Sequence, residues 1–318
     1  MAALKPSLTV DLGGGLRLPT PVMVASGCFS RELAQLVDVS KLGGIVTRSL
    51  TVAATMGSSA PRMAETPSGL LSETGLQNDG IESFVGRDLP ALNRIGVPIV
   101  VSLAWSSVEE YMRLTMALDG LPGVAALEAN ACSPSRERDG QWFASTSEGV
   151  SEVVGAVSRL TRLPVFVKLS AGVTDLPELA EACVRAGAHG LTLIHSFPAM
   201  AIDPQTFRPK LASGTGGLSG PSLHPIAVRA VYEVTRALPA VPVMGVGGVS
   251  TAADAVELLL AGAWAVQVGT ALFADPSAAI DVTLGIRSFL EEGDLASTAD
   301  LRGRAWLPQP EIAEEPEE

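Results

Sequence analysis

Eight short apolar segments recur along the chain, and segments with helical periodicity follow most of them. Each is rich in Val, Ile and Leu between Gly and Pro, a pattern typical of parallel strands covered on both faces. The segments are 21–27, 43–50, 98–104, 125–132, 164–171, 190–196, 241–248 and 265–270. Eight strand–helix units predict a single α/β domain, a (β/α)8 TIM barrel. An open, doubly wound sheet is the alternative that this pattern allows.

The spacing of the segments predicts where loops and chain ends lie. The longest gaps follow the second, fourth and sixth strands, so they are expected as insertions at the carboxyl ends of the strands. The start of the chain alternates around Gly13-Gly14-Gly15 and predicts a β-hairpin at the opposite end. We expect the barrel to occupy residues 1–291 and an acidic, flexible tail to occupy 292–318.

Charge and cysteine content exclude several classes of function. The net charge is −12, with five Glu in the last eight residues, so a nucleic-acid partner is not expected. Three cysteines without ligand-like spacing argue against a disulfide framework and against a metal site. The chain shows neither a signal peptide nor an apolar stretch long enough to cross a membrane. These features predict a cytoplasmic protein.

Two glycine-containing pairs close the last two predicted strands. They are Gly247-Gly248 and Gly269-Thr270, and a capping box of Thr251 and Asp254 predicts a helix after the first pair. Backbone N–H groups after strands seven and eight bind phosphate in many barrels, and a missing Cβ lets phosphate approach. Ordinary turn glycines are the alternative.

Polar residues also interrupt apolar strands. Lys168 lies within the fifth strand, Arg48 near the end of the second, and Asn130 near the end of the fourth. A buried lysine is costly without a partner, so an anionic ligand in the barrel lumen is expected to compensate Lys168. A structural ion pair is the other explanation.

Several longer stretches identify a family. They are ASGCF (25–29), PRMAETPSGLLSETGLQN (61–78), ANACSPS (129–135), VKLSAGVTD (167–175), SGTGGLSGPSLHPIA (213–227) and GVGGVSTAADAVELLLAGAWAVQVGTALFADP (245–276). Through these stretches the chain resembles the dihydroorotate dehydrogenases, FMN-dependent barrels of pyrimidine biosynthesis, and most of all their class 1B catalytic subunits. The resemblance covers about residues 8–290.

The resemblance implies two sets of site residues. The positions implied to bind FMN are Ala25, Ser26, Gly27, Arg48, Ser49, Ser102, Asn130, Lys168, Ile194, Gly220, Gly247, Gly248, Gly269 and Thr270. The positions implied to bind substrate are Arg48, Ser72, Thr74, Gly75, Leu76, Asn130, Ser135, His195 and Ser196. Lys168 is expected near the pyrimidine end of the flavin, where its charge stabilises the reduced form.

The implied reaction needs a base. In the family, a base removes a proton from C5 of dihydroorotate while hydride passes from C6 to the flavin. The class 1 base is a cysteine just before a proline, but Cys132 and Ser133 are exchanged here, so Ser133 takes the base position. Cys132 is not expected to replace it, because adjacent strand residues point to opposite sides. A serine needs a neighbour or a water chain to accept its proton.

The substrate positions depart further from the family pattern. Serine or histidine replaces asparagine at Ser72, Ser102, Ser135 and His195, and Arg48 replaces a lysine. Arg48 can still bind a carboxylate through two hydrogen bonds, and His195 can offer a hydrogen bond or a charge. Dihydroorotate oxidation is the leading hypothesis. The alternatives are flavin chemistry on another carboxylate or cyclic amide, and a flavin-binding homologue that has lost activity.

The resemblance also implies partners. Class 1B catalytic subunits pass electrons to NAD through an iron–sulfur, FAD-containing subunit, and barrels of this family are usually homodimers. The expected partners are therefore a small-molecule substrate, this electron-transfer subunit and a second copy of the chain. Neither a nucleic acid nor a membrane is expected.

Overall fold

A closed barrel of eight parallel strands is the centre of the computed structural model, which describes residues 5–30, 33–104, 106–132 and 141–306. The strands are β1 (Val10–Asp11), β2 (Arg17–Leu18), β3 (Val22–Val24), β4 (Gly44–Val46), β5 (Met63–Thr66), β6 (Gly69–Ser72), β7 (Ile99–Leu103), β8 (Val124–Asn130), β9 (Val165–Leu169), β10 (Gly190–Leu193), β11 (Phe197–Ala199), β12 (Ile202–Asp203), β13 (Arg208–Pro209), β14 (Gly216–Ser219), β15 (Val243–Val246) and β16 (Ala265–Val268). The barrel strands are β3, β4, β7, β8, β9, β10, β15 and β16, which pair in chain order, and β16 closes onto β3. This closure confirms the predicted TIM barrel and excludes the open sheet.

Helices cover the outside of the barrel. They are α1 (Leu33–Leu36), α2 (Gly80–Ser83), α3 (Leu89–Asn93), α4 (Val108–Leu118), α5 (Ser147–Ser158), α6 (Leu176–Arg185), α7 (His224–Ala237), α8 (Ala252–Ala261), α9 (Ala271–Ala274) and α10 (Ala278–Glu292). The predicted capping box is confirmed, because Thr251 accepts from Asp254 N and Asp254 accepts from Thr251 N. This cap fixes the start of α8 just after Gly247-Gly248.

The predicted amino-terminal hairpin is also confirmed and fills one end of the barrel. β1 pairs antiparallel with β2. Two buried side chains of the hairpin, Leu12 and Leu16, pack against Met23, Phe166 and Met244 in the lumen. The barrel is therefore closed by apolar side chains at the amino ends of its strands.

The insertions expected at the opposite end join into one sheet. β5 and β6 come from the loop after β4, while β11 and β14 come from the loop after β10. They pair in the order β11-β14-β6-β5, with Gly217 opposite Ser72. The sequence predicted where these insertions lie, but not that they pair. Part of the insertion after β8, residues 133–140, lies outside the described residues.

The carboxyl-terminal segment contacts the barrel beyond residue 291, where the barrel is expected to end. Residues 293–306 stay on the barrel: Trp306 Nε1 donates to Ala261 O at 2.9 Å, and the Arg302 guanidinium stacks 3.7 Å over the Trp264 ring. Leu301 is buried in the same region. The packing of these large side chains holds the segment against the barrel, although helical periodicity ends after residue 292. The rest of the expected tail, 307–318, lies outside the described residues, and its flexibility stays a prediction.

Candidate active site

A cavity of about 490 Å³ opens at the carboxyl ends of the barrel strands. This volume suits a small-molecule or cofactor site. The predicted residues that line it are Ala25, Ser26, Gly27, Arg48, Ser49, Ser72, Thr74, Gly75, Leu76, Asn130, Lys168, Ile194, His195, Ser196, Gly220, Gly247, Gly248, Gly269 and Thr270. The fold therefore brings most of both predicted sets into one site from segments spread over most of the chain.

Three predicted site residues are placed differently or not described. Ser102 is fully buried behind the cavity wall, with its Oγ 2.9 Å from Ser49 Oγ. It can orient Ser49, but this placement does not support the direct cofactor contact expected of it. Ser133 and Ser135 lie outside the described residues. Their roles as base and substrate ligand stay predictions.

A cradle of glycines forms one side of the cavity. Gly220, Gly247 and Gly248 have φ values of 93°, 134° and 67°, which side chains other than glycine rarely adopt. A Cβ on Gly248 would lie 2.6 Å from His224 Cβ and 2.9 Å from Gly220 O. Packing therefore excludes a side chain at Gly248, and the turn before α8 presents bare backbone, as close approach of a phosphate requires. The cradle fits a phosphate group.

Asn130 anchors the polar side of the cavity. Its Nδ2 donates to Ser49 Oγ at 3.2 Å, and its Oδ1 accepts from Cys132 N at 3.3 Å. The hydroxyl of Tyr111 donates to Asn130 O at 2.7 Å and fixes the end of β8. These bonds hold the amide in one orientation, so that it can present a donor and an acceptor to a planar ligand.

Lys168 faces a buried acid that the sequence analysis missed. Its Nζ lies 3.9 Å from Glu128 Oε1, and Glu128 is fully buried. Glu128 Oε2 accepts from Thr192 Oγ1 at 2.9 Å, whereas Oε1 has no hydrogen-bond partner among the described residues. The ion pair considered for Lys168 is therefore present, but it is longer than a hydrogen bond. The ammonium keeps donors for an anionic group in the cavity.

Two thiols at the cavity wall are held in the protonated form. Burial raises the pKa of Cys132 to about 12 and that of Cys28 to about 11, although the charge on Lys168 partly opposes both shifts. The Cys132 thiol donates to Lys168 O at 3.4 Å. Cys132 thus reaches the cavity wall, but as a neutral donor to the backbone and not as a thiolate base.

His195 lies in the cavity as a neutral ring. Burial and then the nearby charge of Lys168 lower its pKa to about 4. Its Nδ1 lies 3.0 Å from Ser196 Oγ. Of the two possibilities that the sequence left open, the structure favours a hydrogen-bonding histidine over a charged one. Arg48 remains as a cation at the rim, where its Nη1 donates to Gln77 O at 3.0 Å.

The sequence analysis did not single out the other lining residues, although all of them lie in the stretches that carry the family resemblance. They are Met63, Leu70, Glu73, Gln77, Gly217, Ser219, Leu223, Val246, Val249, Ser250, Ala271 and Phe273. Among the described residues, no group of three His, Cys, Asp or Glu is placed to hold a metal ion. Within the same part of the chain, no helix has the length and apolar character needed to cross a membrane.

Comparisons with known proteins indicate one family. The family model described as dihydroorotate dehydrogenase matches residues 7–290. Relatives named "Dihydroorotate dehydrogenase B (NAD(+)), catalytic subunit" include a Geotalea daltonii protein, 45% identical over 94% of this chain and 98% of its own length. One from Geotalea uraniireducens is 46% identical with the same coverage, and one from Geobacillus kaustophilus is 42% identical over 94% and 96% of the two chains.

Proposed function

The chain belongs to the dihydroorotate dehydrogenase family, and from this premise we propose that it oxidises dihydroorotate to orotate in pyrimidine biosynthesis, with FMN as hydride acceptor. The observation that carries the proposal is the joining of the glycine cradle, Asn130 and Lys168 in one cavity at the carboxyl ends of the strands. The names of the relatives favour dihydroorotate over the other substrates that the sequence left open.

Different cavity residues would bind different parts of FMN. Gly247, Gly248 and Gly220 would bind the phosphate, while Asn130 and Lys168 would contact the ring system. When bound, FMN accepts the hydride that leaves the substrate. The ammonium of Lys168 supplies positive charge at the polar side of the cavity, and Glu128 holds that ammonium in place from below.

The remaining polar residues fit an anionic cyclic substrate. Arg48 can bind a carboxylate, since guanidinium groups pair with it through two parallel hydrogen bonds. The neutral His195 and the hydroxyls of Ser72 and Ser196 offer donors and acceptors to ring amides. Ser133 would take the proton from C5, and a water or a neighbouring group must accept the proton of its hydroxyl.

We further propose that the chain works as a homodimer with an iron–sulfur, FAD-containing electron-transfer subunit. The relatives are named catalytic subunits, which supports a second kind of subunit. Exposed apolar side chains near the β12–β13 pair, Ile202 and Phe207, support self-association. The three free cysteines suit the reducing cytoplasm. Light scattering of the purified chain, alone and with the partner subunit, would test both associations.

Steady-state assays test the proposed reaction. FMN-loaded protein is mixed with dihydroorotate and an artificial electron acceptor, and orotate is followed by its ultraviolet absorbance. We expect orotate to form at a rate proportional to enzyme concentration. Protein that retains FMN, yet forms no orotate with any of several acceptors, would overturn the proposal.

A further inference from the structure

His224 lies directly behind the glycine cradle. It is the first residue of α7 and is 9% exposed. Its Nδ1 lies 3.0 Å from Gly247 O, and its Nε2 lies 3.2 Å from Glu257 Oε2 on α8. The close approach of its backbone and Cβ is also what forbids a side chain at Gly248. The ring therefore connects two helices to the turn expected to bind phosphate.

Both partners of the ring are acceptors. A carbonyl oxygen and an ionised carboxylate can only accept hydrogen bonds, whereas a neutral imidazole has a single N–H to donate. Only the protonated ring can satisfy Gly247 and Glu257 together. A second carboxylate of α8, Asp254, interacts electrostatically with the same ring.

The bond to Gly247 also orients the cradle. The Gly247 carbonyl and the Gly248 N–H belong to one planar trans peptide and point in opposite directions. Because the carbonyl is directed at His224, the N–H is directed away from it, toward the side where both glycines line the cavity. Protonation of His224 therefore strengthens a bond that presents this N–H to an anion.

We infer that His224 is a positioning residue for phosphate binding, whose protonated ring orients the Gly247–Gly248 peptide and adds positive charge behind the cradle. Affinity for FMN then falls as the ring loses its proton. The inference rests on the proposed function, since it takes FMN as the occupant of the cavity. FMN affinity would then depend on pH through His224, a residue that does not take part in the reaction itself.

The test compares FMN dissociation constants across pH for wild type, His224→Gln and His224→Lys. Flavin fluorescence is titrated from about pH 5.5 to about pH 8, the range in which histidines usually change charge. We expect wild type to bind like the lysine variant at low pH and like the glutamine variant at high pH. The gap between the two variants should be about tenfold, typical of one partly buried charge. Both variants report the background from ionisation of the phosphate itself.

A second variant keeps the test independent of changes at position 224. Glu257→Gln lets a neutral ring satisfy both neighbours, because the amide can donate to Nε2, so the fall in affinity should begin at lower pH. The matched controls are Glu233→Gln, a partly exposed acid on α7, and His189→Gln at the opposite end of the barrel. Neither control should alter the pH profile.

Two results would overturn the inference and differ from each other. If the FMN dissociation constant of wild type changes with pH in parallel with those of both His224 variants, His224 has no role in phosphate binding, while the proposed FMN function stands. If folded wild-type protein binds no FMN at any pH, both the inference and the proposed function fail. Circular dichroism of each variant establishes that the compared proteins are folded.

Discussion

The two ends of the barrel are built from the same strands but from opposite kinds of side chain. At the amino ends, Leu12 and Leu16 of the hairpin close the lumen against Phe166 and Met244. At the carboxyl ends, glycines and polar residues surround an open cavity of about 490 Å³. This contrast teaches that stability and function are separated along the strand axis, as in other barrel enzymes.

Single strands show how the change from one end to the other is encoded. Side chains alternate along a strand, so residues two apart point to the same side. On β9, Phe166 packs in the apolar plug and Lys168 lines the cavity. On β8, Ala126 packs in the plug, Glu128 forms the layer above it, and Asn130 lines the cavity. Along five residues of β8, the side chains in the lumen therefore change from apolar to charged and then to polar groups that line the cavity.

The largest expected effect is on catalysis at the carboxyl end. Ser133→Ala should slow flavin reduction by dihydroorotate about 10²- to 10⁴-fold, the usual contribution of a general base, while FMN stays bound. Rapid anaerobic mixing measures that rate. Cys132→Ala is the matched control and should slow it less than about tenfold, because its protonated thiol is no base. Equal rates for wild type and Ser133→Ala would remove Ser133 from the mechanism.

A substitution at the amino ends of the strands should change the stability of the protein but not its binding of FMN. Leu16 is 1% exposed in the plug, so Leu16→Ala should lower the free energy of unfolding by about 2–5 kcal/mol. Urea denaturation measures the loss, and the FMN dissociation constant of the folded variant should not change. Leu284→Ala, at an exposed leucine on α10, should change stability by less than about 0.5 kcal/mol. A Leu16 variant with weakened FMN binding would break the separation between the two ends.

Two glycines allow the same substitution to be compared at each end. Gly248 and Gly14 have φ values of 67° and 58°, and a Cβ on either would lie within 3 Å of a neighbour. Both Ala variants should lose stability through backbone strain of about 1–3 kcal/mol. Gly248→Ala should also weaken FMN binding about 100-fold, since its Cβ would collide with His224 and Gly220 O and so distort the cradle, whereas Gly14→Ala should leave FMN binding unchanged. Flavin titration alongside thermal unfolding separates these effects, and equal FMN affinities would contradict the assigned cradle.

The smallest predicted effect concerns pH. The pKa of His195 is lowered to about 4 from its ordinary value of 6.5. Between these values the unfolded chain binds the proton and the folded chain does not, so the free energy of unfolding decreases as pH falls through this window. The contribution is about 2 kcal/mol, because the cavity leaves the ring some contact with water.

Denaturation of FMN-free protein at several pH values measures this contribution. His195→Gln should remove it, and His189→Gln, at the amino end, should keep it. If both variants retained the full pH dependence of wild type, His195 would not be the group responsible.

The sequence predicted most of what local patterns can encode. The barrel strands, the hairpin and the Thr251 cap depend on periodicity and short motifs, and the structure confirms all three. The glycine cradle followed from glycines at strand ends together with the family resemblance.

The features that were missed depend on partners distant in sequence. Glu128 pairs with Lys168 on the neighbouring strand, although the two residues are forty positions apart in the chain. The sheet over the cavity joins Ser72 to Gly217, and Trp306 returns to Ala261. No local pattern specifies such pairs, because they depend on how the closed barrel brings separate loops together.

Anaerobic mixing of FMN-loaded protein with dihydroorotate tests the central claim most directly. The cavity at the carboxyl ends of the strands is taken to hold FMN and dihydroorotate together, so the yellow flavin absorbance should bleach rapidly in a single turnover. A flavin that dithionite bleaches, but that dihydroorotate leaves unchanged, would contradict the assigned reaction.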